Sequence, residues 1–137
     1  MKRAISIMVA TFLLWVVSFP IGSAWGSTAD KIEGHWELVY GETLPSGWNE
    51  IKLIAGGHFI WVIYDAQKKK TAYTGGGTYK LDGDHYIEHL DFMTVPGADA
   101  LIDKDQPFTL KLGGNSLVIT GTLSDGEKLN ETWKRAE

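Results

Sequence analysis

Two carboxylates carry the first chemical signal in this sequence. Glu88 and Glu131 each stand in an alternating segment among apolar and aromatic neighbours, Tyr86-Ile87-Glu88-His89-Leu90 and Leu129-Asn130-Glu131-Thr132-Trp133. Successive residues of a strand point to opposite faces, so both carboxyls are expected to share the inward face with the apolar set. A carboxyl held there needs a partner, because desolvation otherwise keeps it protonated. Three roles are open. Arg135, a tyrosine hydroxyl such as Tyr40 or Tyr79, or backbone groups can bind each carboxylate and fix the register of the strands. With Tyr40 and Tyr79, the two can instead orient a ligand in an otherwise apolar cup lined by Phe59 and Trp61. Or they can serve as acid and base in a small hydrolase or cyclase.

Other patterns are weaker. His85-Tyr86-Ile87-Glu88-His89 has the spacing of an inverted zinc-peptidase motif, which needs a helix to bring both histidines to one metal. In a strand the two imidazoles would stand ~13 Å apart, too far for one ion, so no metal is expected here. Asn130-Glu131-Thr132 matches a glycosylation sequon inside an expected strand, which reads as a chance match. The triplet Gly75-Gly76-Gly77 lacks the Gly-Lys-Ser/Thr ending of a phosphate loop and reads as a bend or bulge. Asp82-Gly83-Asp84 and Asp103-Lys104-Asp105 are too short and isolated for a calcium loop. His58 has no evident partner and is at most a weak haem-ligand candidate. Trp36, Trp61, Trp133 and Phe59 fit a hydrophobic ligand site or a plain core.

The elements that must position these residues are strands. From residue 31 onward no stretch of ten or more residues carries a 3.6-residue apolar period, and turn signals recur every eight to twelve residues. The expected strands cover residues 35–41, 49–55, 58–65, 71–81, 85–92, 108–112, 116–123 and 128–135. Between them lie turn-forming stretches such as Gly56-Gly57 and Ser124-Asp125-Gly126, and one long connection, 93–106, that suits a lid. Mostly short connections favour an all-β, eight-stranded, antiparallel up-and-down barrel over a Greek-key sandwich. Alternation puts Trp36, Leu38 and Tyr40 inward on the first strand. On the fifth it selects Tyr86, Glu88, Leu90 and Phe92, and on the last Leu129, Glu131, Trp133 and Arg135. The third strand is apolar on both faces, and Phe59, Trp61 and Ile63 are taken as inward.

Gly34-His35-Trp36 opening the first strand and Trp133-Lys134-Arg135 closing the last resemble the calycin superfamily. The resemblance implies a lipocalin-like barrel in which Gly34, Trp36, Trp133 and Arg135 close the floor, with the Arg135 guanidinium over the Trp36 indole in a cation–π contact. The segments Ile51-Lys52-Leu53-Ile54, His58-Phe59-Ile60-Trp61, Gly76-Gly77-Thr78-Tyr79, Leu81-Asp82-Gly83-Asp84, Tyr86-Ile87-Glu88, Gly121-Thr122-Leu123 and Glu131-Thr132-Trp133 are similar to a family of small bacterial secreted lipocalin-like domains of unknown function. That likeness spans nearly all of residues 31–137 and implies no catalytic residue set. True lipocalins are longer and usually carry a disulfide and a C-terminal helix.

Composition sets the remaining bounds. The 137 residues amount to one domain, 44% hydrophobic and 22% charged, and the absence of cysteine excludes disulfides and thiolate chemistry. Lys2 and Arg3 precede an apolar run from Ala4 to Phe19 that ends at Pro20 and Gly22, the pattern of a secretory signal. At roughly 16 residues the run is short for a membrane span, which needs ~20. Cleavage is expected after Gly26, dividing the chain into a signal peptide, 1–26, and a barrel domain, 27–137. Losing residues 1–26 removes two of 13 basic residues and none of 17 acidic ones, leaving net charge −6. Nucleic acid is therefore not an expected partner. The expectation is an exported, periplasmic or extracellular barrel, monomeric or weakly dimeric and without cofactor. It would bind a small apolar or amphipathic molecule without transforming it, entering at the end near residues 93–106. A filled barrel acting as an envelope interaction module, with Ile60 and Val62 in a contact patch, is the alternative. An enzyme using Glu88 and Glu131 is the third reading.

Overall fold

The computed structural model describes residues 31–137. The proposed signal peptide, 1–26, lies outside the described residues. Eight strands follow in sequence: β1 (Gly34–Tyr40), β2 (Trp48–Ala55), β3 (His58–Asp65), β4 (Lys70–Asp82), β5 (His85–Met93), β6 (Asp105–Gly113), β7 (Ser116–Thr122) and β8 (Lys128–Arg135). Each pairs antiparallel with its sequence neighbour and β8 pairs back onto β1, so the sheet closes as an up-and-down barrel without a free edge. Among the described residues no helix is long and apolar enough to cross a membrane.

Short turns set this order. Gly56 and Gly57 link β2 to β3 with φ of 57° and 79°, the left-handed pair that matches the twist of a two-residue hairpin. The inward side chains fill the lower barrel. Trp36, Tyr86, Leu117, Ile119 and Trp133 are fully buried, with Phe59, Phe108 and Leu110 packed among them.

One end is sealed. Arg135 lies over Trp36, its guanidinium carbon 4.2 Å from the ring centroid, and donates to the carbonyls of Glu33 and Lys31 at 2.8 and 2.7 Å. Trp36 Nε1 donates to the Ile32 carbonyl at 2.8 Å, so buried Ile32, just before β1, becomes part of the floor. Gly34 is required here, because a Cβ would run into the Arg135 guanidinium.

Two inward expectations fail, both at irregularities. The β1–β8 register shifts between Leu38 and Tyr40, which leaves Tyr40 63% exposed instead of in the cup. The β4–β5 register shifts between Gly76 and Gly77, so Phe92 turns outward and is 45% exposed. A bulge inserts one residue and reverses the alternation beyond it. The glycine triplet accommodates this shift. A Cβ on Gly77 would meet the backbone of His89 and Asp91, and one on Gly76 the Phe92 ring at 2.9 Å. The 93–106 connection is docked rather than loose. Leu101, in a 3-10 turn (Asp99–Leu101), is a core residue, and Asp103 N–H donates to the Leu90 carbonyl at 2.8 Å. Buried Gln106 adds a two-way bond to Ser124.

Candidate functional site

A buried ion pair anchors the polar part of the interior. Lys52, on β2, is 3% exposed, and its Nζ lies 2.7 Å from Glu88 Oε1 on β5. The same oxygen accepts the Tyr86 hydroxyl at 2.8 Å. Lys52 Nζ also lies 5.5 Å from the Phe59 ring centroid and 5.2 Å from that of Trp133, so two aromatic faces flank the ammonium. Burial alone would lower the Lys52 pKa. Glu88, Glu131 and Glu50 around it outweigh burial and raise it, so the amine stays protonated. Burial, then Glu88, pushes the Tyr86 hydroxyl well above its usual value, which keeps it a donor.

Two further carboxyls face this pair. Glu131, on β8, accepts from Trp133 Nε1 at 3.0 Å. Burial raises its pKa against the pull of Lys52. Glu50, on β2 two residues from Lys52, is 7% exposed, and its Oε2 is buried without a hydrogen-bond partner. Burial, reinforced by Glu131, raises Glu50 to about 8. Three carboxyls thus gather around one ammonium, and one of them is left unpartnered.

The β1–β2 ladder ends next to Glu50. Pairing of β1 with β2 ends at Glu37 and Ile51, so Leu38–Tyr40 and Trp48–Glu50 diverge while β1 stays attached to β8. Residues 38–44, at this end of β1, line a pocket of about 330 Å³ that includes Leu38, Tyr40, Glu42 and Leu44. One of its residues adjoins the cluster, since a Cβ on Gly41 would stand 3.1 Å from Glu131 Cγ. Glu42 acts electrostatically on both Glu50 and Glu131.

The structure therefore brings Glu88, Glu131, Phe59 and, more loosely, Trp61 to one interior. Trp61 faces Lys52 across the β2–β3 ladder and lays its indole over Gly75, which has no side chain to obstruct it. Tyr79 lies deeper against Tyr86, with ring centroids 5.5 Å apart. Tyr40 reaches the pocket only from outside, at the lip. The carboxylate partners differ from those expected: Glu88 is held by Lys52 and Tyr86, while Arg135 is committed to the floor. His85 and His89 lie on the outside of β5, His89 Nδ1 standing 2.7 Å from Asp105.

Sequence reasoning missed Lys52 and Glu50, the two residues that define the cluster. In Trp48-Asn49-Glu50-Ile51-Lys52-Leu53-Ile54-Ala55 the apolar residues fall on both parities, and Ile51 and Leu53 compete with Ile54 for the inside. The available signal was pairing with the floor: Lys52 stands opposite inward Trp36.

No protein-family model and no curated protein matches the chain. Among solved structures, that of the wild-type fluorescent protein UnaG is similar, with 12% identity and a TM-score of 0.43 over 79% of this chain and 99% of that one.

Proposed function

We propose that this chain is an exported, non-catalytic barrel that binds a small amphipathic molecule at its β1–β2 fork. The observation that carries the reading is the pocket of about 330 Å³ lined by residues 38–44, one of which, Gly41, lies against Glu131 of the buried polar cluster. Ligand sites combine an apolar wall with a few placed polar groups, and this one has Leu38, Tyr40 and Leu44 together with Glu42 in its lining and Glu131 against Gly41. Filling a barrel with hydrocarbon alone would be the simpler route to stability, since buried ion pairs are often no better than well-packed apolar residues. A catalytic use of Glu88 fits less well, because Lys52 and Tyr86 already occupy its Oε1. Export rests on the Lys2-Arg3 and apolar pattern of residues 1–26, and the net charge of the remainder argues against nucleic acid as partner.

A second reading has its own observation. Leu53 and Phe92 are 44% and 45% exposed and flank Ile60 on the outside of the barrel, an apolar face suited to a protein contact. Native mass spectrometry of the protein purified from its own host separates the two. A recurrent small-molecule adduct, weakened by Tyr40→Ser in the pocket lining, is expected for the binding barrel. A clean apo mass with a co-purified protein supports the interaction module and contradicts ligand binding.

A further inference from the structure

The outside of the barrel over β2–β5 carries an apolar row in register. Outward Leu53 on β2 stands opposite Ile60 on β3, Ile60 opposite Gly76 on β4, and Gly76 opposite Phe92 on β5. Gly76 contributes no side chain, so the row forms a trough of about 320 Å³ with Ile60 on one side of β4 and Phe92 on the other. His58 lines the trough from the β3 side and Asp91 from the β5 side. Leu53 and Phe92 stay exposed, because among the described residues no element packs over them.

We infer that this trough is a contact between two copies of the chain, related by a two-fold axis along β4, an inference that gives the outer face its partner and is independent of what residues 38–44 bind. A two-fold contact needs a surface that complements itself. Rotation about an axis along β4 lays β3 of each copy on β5 of the other, so Ile60 meets the second copy's Phe92 on both sides of the axis. The same rotation carries His58 to the second copy's segment from His89 to Asp91, since His58, Thr78 and His89 share one row. His89 is turned to Asp105, which leaves Asp91 to face His58. Base thus crosses acid twice. Charge selects this partner: the chain is acidic, with net charge −4, so two copies repel over most of their surface and attract where this imidazole and this carboxylate cross. At ~4.8 Å between strands and ~3.3 Å per residue, the apolar rows cover roughly 300 Å² per copy, the size of a weak, reversible contact.

Sedimentation velocity on the protein purified from its host, loaded from about 10 µM to about 1 mM, tests this. A monomer–dimer equilibrium with its midpoint inside that range is expected. Phe92→Asp should weaken the dimer at least about tenfold and Leu53→Asp about threefold, both at exposed positions where the fold is not at stake. His58→Asp sets acid on acid and should weaken it about fivefold, whereas His58→Asp combined with Asp91→His exchanges the two groups and should recover the native affinity within about twofold. A monomer over the whole range overturns the inference; if that monomer carries another protein that Phe92→Asp releases, the contact-face reading survives with a different partner. A dimer insensitive to Phe92→Asp overturns it too, since the copies then meet elsewhere. Failure of the exchanged variant to recover what His58→Asp loses overturns the axis along β4, and the inference with it.

Discussion

Replacing Glu50 by Gln is expected to stabilise the protein, and to do so in a pH-dependent way. The folded state holds this carboxyl at about 8 against 4.5 for an unperturbed glutamate, because burial and Glu131 disfavour its charge. Between those values the folded state binds a proton that the unfolded state has released. Stability therefore falls as pH rises, at a limiting slope of about 1.4 kcal/mol per pH unit, and levels off above the folded value. Glutamine resembles the protonated side chain and does not titrate. Near pH 4.5 the two proteins should be close in stability, and by pH 7 the variant should lead by up to about 3 kcal/mol. Glu131, also raised by burial, leaves a smaller slope of the same sign in the variant. Urea unfolding followed by tryptophan fluorescence at pH 5, 6 and 7 measures this directly. Parallel pH profiles, or a variant less stable than the native protein at pH 7, would refute the reasoning.

Other substitutions probe the frame around the site. Lys52→Met removes the cation paired with buried Glu88 and should cost about 3–5 kcal/mol in urea unfolding, whereas Lys52→Met with Glu88→Leu should recover most of that loss. Arg135→Ala strips the Trp36 face and leaves the Lys31 and Glu33 carbonyls without their donor, an expected loss of about 1–3 kcal/mol; Arg135→Lys should not restore it, because a single ammonium cannot stack and reach both oxygens. Gly77→Ala forces a methyl into the β5 bulge and should cost about 2–3 kcal/mol, read as a lower melting temperature. Tyr40→Ser, at an exposed position, should stay within about 0.5 kcal/mol of the native protein.

The barrel was legible because its signals are local. Each hairpin carries its own turn residues, and period-two alternation runs cleanly through Tyr86-Ile87-Glu88 and Leu117-Val118-Ile119. Two kinds of information were not local. Bulges at Leu38–Tyr40 and at Gly76–Gly77 reverse the facing of every residue beyond them, which is why Tyr40 and Phe92 emerge outside. In the second case the glycine triplet marked the place without marking its effect on the partner strand. Strand β2 posed the other difficulty. A lysine in an alternating strand reads as solvent-facing, and only the register that sets Lys52 against Trp36 and brings Glu88 to it reveals a buried ion pair. The partner of Glu88 was thus visible as a need, and its identity depended on residues 36 positions apart.

The central claim is that a small amphipathic ligand binds in the pocket of residues 38–44 at the end of the β1–β2 ladder. Titrating the isotope-labelled protein with n-octylamine and following backbone amide shifts locates binding residue by residue. The account predicts that the shifts concentrate at residues 38–44 and at neighbouring Glu131. Shifts confined to Leu53, Ile60 and Phe92 on the outer face, or no shifts at all, would contradict it.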